Sequence, residues 1–321
     1  MGGSGRGLPL ALVSALAFGT SGPFAKALLD AGWTPGAAVG VRATGAAAVL
    51  VALTMLLWWK RLGPVIRAPR TVLLYGIVAV AGVQVCYFSA VRTLSVSVAL
   101  LLEYLAPVLV VGWLWLRTGR PPSRRTLAGG VLALLGTVGV LDVVGGLRVD
   151  LGGVLWALAA AVCLACYFLV LGRSRDRGDA LDPGVLASAG MVVGSAAVAA
   201  AGLVGVLPVG VGSATTVLSG HATPTWVPVL ALVLVSTVLA YLAGAASLAR
   251  LGPTTGSLVG LAEVLFAVLA AWALLGEWPR PVQLVGGVLV VAGVVLARNG
   301  DRPTPPAPAA LIPATARHPW P

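Results

Sequence analysis

Residues 127–141 read LAGGVLALLGTVGVL, and residues 284–296 repeat this pattern as LVGGVLVVAGVVL. The alignment matches three glycines of the first copy with three of the second: Gly129, Gly130 and Gly136 with Gly286, Gly287 and Gly293. Small residues let two helices approach closely within a membrane. We therefore expect these glycines at helix contacts, either inside one bundle or between protomers, and the repeat divides the chain into two similar halves.

The composition indicates that most of the chain contacts lipid rather than water. Hydrophobic residues make up 59% of the 321 positions and charged residues 10%, whereas soluble domains carry roughly 25% charged residues. A helix that crosses the bilayer needs about 20 mostly apolar residues, and the continuous apolar runs lack the alternation of a transmembrane barrel. The prediction is an all-α membrane protein with ten transmembrane helices. They lie near residues 8–29, 36–59, 71–92, 95–116, 126–143, 151–171, 183–206, 227–249, 253–275 and 281–297.

The positions of Lys and Arg predict the orientation of these helices, because loops rich in the two residues remain in the cytoplasm. The basic clusters at residues 60–70, 117–125 and 173–177 all fall in inner loops if the N-terminus is inside. The first span has a long apolar stretch without an Ala-x-Ala cleavage site, so we expect it to stay as a helix rather than act as a signal peptide. The prediction is an inner or plasma membrane protein with both termini in the cytoplasm.

The repeat and the span count together predict two inverted halves. Residues 8–143 and 151–298 contain five spans each. Because five is odd, the halves enter the membrane from opposite sides, an arrangement typical of secondary transporters with a central site. Residues 299–321 are rich in Pro and Ala and bury too little apolar surface to fold, which predicts a disordered cytoplasmic tail. The loop at residues 208–224, rich in Gly, Ser and Thr, is predicted to be mobile.

Several functional classes are disfavoured by the sequence. The net charge of +11 is spread over short loops and forms no basic surface with interleaved aromatic residues, so no nucleic-acid partner is expected. Cys163 and Cys166 have no adjoining His or second Cys pair to complete a zinc site. His221 and His318 lie outside the spans, and no catalytic or phosphate-binding motif is present. We expect no metal, no cofactor and no enzyme active site.

Short motifs occur in order along both halves: Phe18-Gly19 and Lys26, Pro35 and Arg42, FSAVRTL at residues 88–94, LEYLAP at 102–107, Leu239-Ala-Tyr241, RLGP at 250–253 and Leu275-Gly-Glu277. Together they resemble the EamA-type carriers of the drug/metabolite transporter superfamily. The resemblance implies a ten-span permease that moves small metabolites, often amino acids or amphipathic compounds, by alternating access.

Two positions depart from the pattern of these carriers. Glu263 is followed by Val264 where they commonly have Glu-Pro, and the fourth span ends in Thr118-Gly119-Arg120 where they commonly have Gly-Glu. The missing Pro leaves open whether the ninth helix is broken as in relatives.

An ionisable side chain near the bilayer centre costs about 2.5–3.5 kcal/mol, and four candidates inside the predicted spans stand out: Lys26, Arg42, Glu103 and Glu263. The two glutamates occupy equivalent spans, the fourth and the ninth, and are candidates to bind protons or a cationic substrate group. The alternative is a structural ion pair or a neutral carboxyl bonded to a hydroxyl. Arg42 is a candidate for contact with substrate or for pairing with a glutamate. Lys26, near the outer end of its span, is expected to reach the interface and anchor the helix.

Uncharged polar side chains share this central layer. Gln84 and Tyr87 lie in the third span and Tyr241 in the eighth, with Ser236 and Thr237 a turn away. Such groups either orient a polar solute or bond neighbouring helices for about 1 kcal/mol, and both roles stay open.

These observations predict a secondary transporter that exports or exchanges a small metabolite across the lipid bilayer. The alternative is a membrane receptor or regulatory subunit that binds a small ligand without moving it. Because both would use the same residues, only a measurement of flux separates the two hypotheses.

Overall fold

A computed structural model describes residues 7–119, 121–140, 150–176, 181–244, 246–247 and 262–300. Most of these residues are helical. The helices of the first half are α1 (Gly7–Gly19), α2 (Ser21–Asp30), α3 (Pro35–Leu57), α4 (Leu62–Arg67), α5 (Pro69–Leu74), α6 (Val83–Val91), α7 (Val96–Glu103), α8 (Ala106–Thr118) and α9 (Arg124–Val140). Those of the second half are α10 (Leu151–Asp176), α11 (Pro183–Leu203), α12 (Trp226–Leu230), α13 (Ala262–Leu275) and α14 (Pro281–Gly300).

Six apolar helical segments in the described part of the chain are long enough to cross a membrane. They are Gly7–Asp30, Pro35–Leu57, Pro69–Val91, Val96–Arg117, Gly184–Leu203 and Trp226–Gly244. Shorter apolar helices cover Leu151–Cys166, Ala262–Leu275 and Pro281–Gly293. The six long segments begin and end within a few residues of the predicted spans. The first part of the predicted ninth span lies outside the described residues, as does the question of a break in the ninth helix. Of the tail predicted at 299–321, residues 299 and 300 belong to α14, and residues 301–321 lie outside the described residues.

Helical geometry changes inside several spans. The fourth span is interrupted at Tyr104 and Leu105, between α7 and α8. Pro107 has no N–H to donate to the carbonyl of Glu103, four residues earlier, so the α-helix ends at Glu103 and begins again afterwards. The third and eighth spans contain π-helical segments, Tyr75–Gly82 and Ala231–Leu239. These two segments occupy corresponding places in the two halves, and the sequence analysis did not predict either.

The two copies of the glycine pattern pack against each other. A Cβ atom on Gly136 would lie 2.6 Å from the carbonyl oxygen of Gly286, and one on Gly293 would lie 2.5 Å from that of Gly129. Any side chain at either position would overlap the backbone of the facing helix. The structure thus places α9 and α14 in direct backbone contact within one chain.

The remaining glycine of each copy faces the interrupted fourth span. A Cβ on Gly130 would lie 3.7 Å from Val108, and one on Gly287 would lie 3.3 Å from Leu101. The glycines of the repeat therefore hold α9 and α14 together and set this pair against α7 and α8.

One element is not helical. Strands β1 (Thr215–Leu218) and β2 (His221–Pro224) form an antiparallel hairpin that pairs Leu218 with His221. The turn between them, Ser219-Gly220, has positive φ at both residues, 51° and 76°, as a two-residue hairpin requires. The all-α prediction is corrected here for a segment between spans.

The hairpin segment is tied to the ends of several helices. Thr216 Oγ1 donates to the carbonyl of Ala27 at 2.6 Å, and the backbone N–H of Ser219 donates to the carbonyl of Leu274 at 2.8 Å. Just before the strands, the N–H of Gly210 donates to Thr34 Oγ1 at 2.9 Å. These bonds join the hairpin to the ends of α2, α3 and α13 rather than leaving it as the free loop that the sequence analysis predicted.

Candidate functional site in the centre of the bundle

Arg42 is buried on α3, with 5% of its surface exposed. Its guanidinium donates from Nε to Thr237 Oγ1 at 2.8 Å, from Nη1 to Ser21 Oγ at 2.6 Å and from Nη2 to the carbonyl of Ser236 at 3.3 Å. The guanidinium carbon also lies 5.6 Å from the centroid of the Phe88 ring, a distance at which a cation is attracted to the ring face. These partners are all neutral, so the hydrogen bonds of Arg42 in the described residues go to hydroxyls and a carbonyl rather than to a glutamate.

Two glutamates from different halves meet in this region. Glu103 is the last residue of α7, and Glu263 lies in the first turn of α13. Tyr104 donates its hydroxyl to Glu263 Oε2 at 3.1 Å. Glu103 directly precedes Tyr104 in the chain. Both carboxyls are half-buried, and the bond from Tyr104 places Glu263 beside the residue that follows Glu103.

The approach of α1 to α13 fixes the position of Glu263. A Cβ on Gly19 would lie 2.9 Å from the backbone nitrogen of Ala267 and 3.1 Å from the carbonyl oxygen of Glu263. The absence of a side chain at Gly19 thus lets the first span touch the backbone of the ninth beside its acid. This gives a structural reason for the Phe18-Gly19 pair.

Aromatic rings surround the charged groups. Phe18 and Tyr241 make an edge-to-face contact with centroids 5.1 Å apart. Tyr87 is buried beside Phe88 on α6, the ring that lies against the Arg42 guanidinium. The predicted residue Tyr87 therefore lies next to the surroundings of Arg42.

Gln84 lies on the same helix face, three residues before Tyr87 and four before Phe88. Its surface is 6% exposed, and its side-chain carbonyl oxygen has no hydrogen-bond partner within the described part of the chain. A buried acceptor without a donor is costly, so this oxygen is a position at which a ligand donor or a water would be bound.

A second charged cluster lies toward the hairpin. Lys26 Nζ lies 3.6 Å from Glu277 Oε1 and donates to the carbonyls of Val91 at 3.1 Å and Leu94 at 3.4 Å. Glu277 Oε2 accepts the N–H of Val96, the first residue of α7, at 3.1 Å. Burial raises the pKa of Glu277, while Lys26 and the Val96 N–H act in the opposite direction. Lys26 is thus held by an ion pair and two backbone carbonyls.

The ion pair of Glu277 was not predicted from the sequence, in which Glu277 stands only as part of a short motif. A signal was present, because a Glu directly after an apolar span and a Lys near the end of another are the kind of opposite charges that pair. Which Lys and which Glu meet depends on the three-dimensional arrangement, since residues 26 and 277 belong to different halves.

Comparisons with known proteins identify the family of the chain. A family model described as the EamA-like transporter family matches residues 5–142 and again residues 151–298. The chain belongs to the EamA-like transporter family. It is therefore a multi-pass membrane protein of the drug/metabolite transporter type with two repeats, as the motifs predicted.

A solved structure titled "Crystal structure of protein" is similar in fold, with a TM-score of 0.61 and 22% sequence identity over 92% of this chain and 98% of that one. No curated protein matches the sequence. The EamA assignment therefore rests on the match of the family model to both halves of the chain, and the solved structure supports the fold alone.

Proposed function

We propose that this EamA-family protein is a secondary transporter that exports or exchanges a small metabolite by alternating access, in an inner or plasma membrane. The observation that supports the proposal best is the meeting of Glu103 and Glu263, one from each repeat, in a layer that also contains Arg42. A site made equally by two halves changes its exposure when one half moves against the other. The ten spans, their inverted orientation and the cytoplasmic termini are part of this proposal.

The coupling chemistry follows from the two carboxyls. A carboxyl in a low-dielectric site is stable either when it is protonated or when its negative charge is balanced by a cation. A proton and a cationic group therefore compete for the same carboxyl. Glu103 and Glu263 are proposed to bind a proton and a positively charged group alternately. Tyr104, whose hydroxyl binds Glu263, positions that carboxyl and remains bonded to it in this state.

A flux measurement tests the proposal. Purified protein is reconstituted in liposomes that contain a pH-sensitive dye, a pH gradient is imposed, and a panel of amino acids and amphipathic amines is added. We expect at least one compound to dissipate the gradient with the native protein and not with the Glu103→Gln, Glu263→Gln double variant. Glutamine keeps the shape and the hydrogen bonds and removes the charge. Asp182→Asn, which changes a carboxyl at the start of α11 and outside the proposed site, is the matched control.

Full pH-driven flux in the double variant would contradict the role of the two glutamates. Ligand binding by the native protein without flux of any compound would instead support a receptor. Orientation is tested separately, by reporters fused after Arg298 and at Gly146. We expect the first reporter to be cytoplasmic and the second to be external.

A further inference from the structure

Arg42 carries a buried positive charge among neutral partners. It bonds the hydroxyls of Ser21 and Thr237 and the carbonyl of Ser236, and only 5% of its surface is exposed. The ion pairs found among the described residues involve other side chains. An arginine cannot lose its proton in a protein, and a buried charge without a counter-charge is costly. The charge of Arg42 is therefore open to an anionic partner.

The guanidinium also has unused hydrogen-bond donors. An arginine has five N–H groups, and the three bonds of Arg42 use one N–H at each nitrogen. Nη1 and Nη2 therefore each keep one N–H without an acceptor among the described residues. The hydroxyl of Ser21 accepts from Nη1, and its own O–H likewise has no acceptor in the described part of the chain. Two N–H groups and one O–H are thus available to a ligand oxygen.

The π-helical segment of the eighth span holds this guanidinium in place. Thr237 Oγ1 donates to the carbonyl of Leu232, five residues earlier, at 2.7 Å, so towards Arg42 it acts as an acceptor. Ser236 Oγ lies 2.8 Å from Thr20 Oγ1, which fixes the residue whose carbonyl accepts from Nη2. Donors that are fixed before a ligand arrives lose little freedom when they bind it. The segment thus positions Arg42 without neutralising its charge.

A second unsatisfied polar group lies near this arginine on α6. Gln84 is 6% exposed, and its side-chain oxygen has no hydrogen-bond partner in the described residues. It precedes Phe88 by one helical turn, and the centroid of the Phe88 ring lies 5.6 Å from the guanidinium carbon of Arg42. An aromatic face packs well against an apolar group. A ligand for this region has an apolar part for the ring and an anionic group for Arg42.

The amount of charge decides between the common oxyanions. One guanidinium with a free N–H on each terminal nitrogen matches a carboxylate, which has one negative charge and two oxygens for two parallel hydrogen bonds. A phosphate monoester carries a charge of about −1.5 to −2 and three terminal oxygens. Arg42 alone would leave part of that charge unmatched, so a carboxylate fits better.

We propose that Arg42 binds the carboxylate of a small organic ligand in the central site, through the free N–H of each terminal guanidinium nitrogen and with the Ser21 hydroxyl as a third donor. This inference rests on the proposed transport function and names the substrate class of the same site. It assigns the anionic group of the ligand to Arg42 and leaves the two glutamates to a proton or a cationic group.

Equilibrium binding to the full-length protein in detergent tests the proposal with two matched pairs of probes. Phenylacetate is compared with phenylacetamide, and phenylalanine with phenylalaninamide, by isothermal titration calorimetry. Each amide keeps nearly the shape of its partner and lacks the negative charge. We expect at least one of the two carboxylates to bind, and to bind at least about tenfold more tightly than its amide.

Variants of the arginine test which residue is responsible. Arg42→Gln removes the charge and should weaken binding of that carboxylate at least about tenfold. Arg42→Lys keeps the charge without the planar pair of donors, so its loss should be intermediate. Arg61→Gln is the same change at an exposed arginine and should bind as the native protein does. Size-exclusion profiles show whether each variant is folded. If the Arg42 variants are not, the comparison of carboxylates with amides on the native protein decides.

Three results would overturn the inference: no binding of either carboxylate at millimolar concentration, an amide that binds as tightly as its carboxylate, or a folded Arg42→Gln variant with native affinity. The proposed function fails in a different way. Carboxylate binding without flux of any compound keeps the ligand class and removes transport. Flux of an amine without carboxylate binding keeps transport and removes the ligand class.

Discussion

The cluster around Glu277 and the pair Glu103 and Glu263 are both carboxyls in an apolar bundle, but their surroundings differ. Glu277 has a cation 3.6 Å away and accepts a backbone N–H. Glu263 accepts one tyrosine hydroxyl, and Glu103 has another acid as its neighbour. Glu277 has a cation within ion-pair distance, and among the described residues neither Glu103 nor Glu263 does. An ion pair reduces the cost of burying a charge, whereas a buried carboxyl without one is expected to be ready to bind a proton or a ligand.

The two regions are connected by α7. Its first residue, Val96, donates its N–H to Glu277, and its last residue is Glu103. Glu277 thus holds the end of a short helix whose other end carries the central acid. The break at Tyr104 separates α7 from α8. Through α7, the contact of Glu277 with Val96 is connected to Glu103 in the candidate site.

The largest expected effect on stability comes from removing the cation that pairs with Glu277. Lys26→Met leaves Glu277 half-buried without its ion-pair partner. Loss of one partner costs about 3–5 kcal/mol in a fully buried pair and about 0–1 kcal/mol in an exposed one. Since this pair is partly exposed, we expect a loss of about 2 kcal/mol in thermal stability in detergent.

The double variant Lys26→Met, Glu277→Met is the control for this prediction. It removes both charges, so most of the stability should return. If the single and double variants melt at the same temperature as the native protein, the ion pair between Lys26 and Glu277 does not contribute to stability. The proposed difference between this pair and the glutamates of the central site would then be wrong.

The pH dependence of stability sharpens the comparison. Burial raises the pKa of Glu277 in the folded protein above its ordinary value of 4.5. The unfolded chain therefore releases this proton first as the pH rises, so the contribution of Glu277 to stability falls from about pH 4.5 upward and becomes constant above the folded pKa. Melting temperatures from about pH 4 to about pH 8 should show this fall as a difference between the native protein and Glu277→Gln. In Lys26→Met the fall should extend to higher pH, because the lysine no longer opposes the rise. Identical profiles for the native protein and Glu277→Gln would mean that burial does not affect this carboxyl.

At the site of Glu103 and Glu263 the expected change in stability is smaller and has the opposite sign. Glu103→Gln and Glu263→Gln each remove a charge that has no ion-pair partner among the described residues, so stability should stay equal or rise by about 0.5–1 kcal/mol, as is common when a functional site is neutralised. The measurement is thermal unfolding of each single variant at neutral pH. A fall as large as that of Lys26→Met would show that these acids hold the fold together.

The sequence was sufficient to predict six of the ten proposed spans, because apolar length located the six long helical segments. The cost of placing an ionisable side chain in the membrane singled out Arg42, Glu103 and Glu263 as candidates before any contact was known. Pro107 explains the interruption after Glu103 that the structure shows. The repeated glycines were predicted at helix contacts, although which two helices meet was not deduced.

Other features depend on contacts that no local pattern contains. The partners of Arg42 are hydroxyls and a carbonyl from α2 and the eighth span, where the sequence suggested a carboxylate. The hairpin at residues 215–224 looks like a flexible loop in composition, yet its order comes from hydrogen bonds to distant helix ends such as Ala27 and Leu274. The π-helical segments arise in apolar runs without a distinguishing residue type. For Arg42 and the hairpin, the hydrogen bonds that decide the arrangement join residues far apart in sequence.

The smallest expected effect concerns a third carboxyl, Asp182, whose ion-pair partner Arg61 is largely exposed to solvent. Arg61 Nη1 lies 2.7 Å from Asp182 Oδ2, with 63% and 23% of the two side chains exposed. Asp182 also accepts the N–H groups of Gly184 and Val185 at the start of α11. Asp182→Asn keeps this cap and removes only the ion pair, so we expect a loss below about 0.5 kcal/mol that disappears at high salt. Thermal unfolding at low and high salt measures it. A loss equal to that of Lys26→Met would show that burial does not decide the strength of these ion pairs. The pair of Lys26 with Glu277 and the pair of Arg61 with Asp182 would then have to be treated alike.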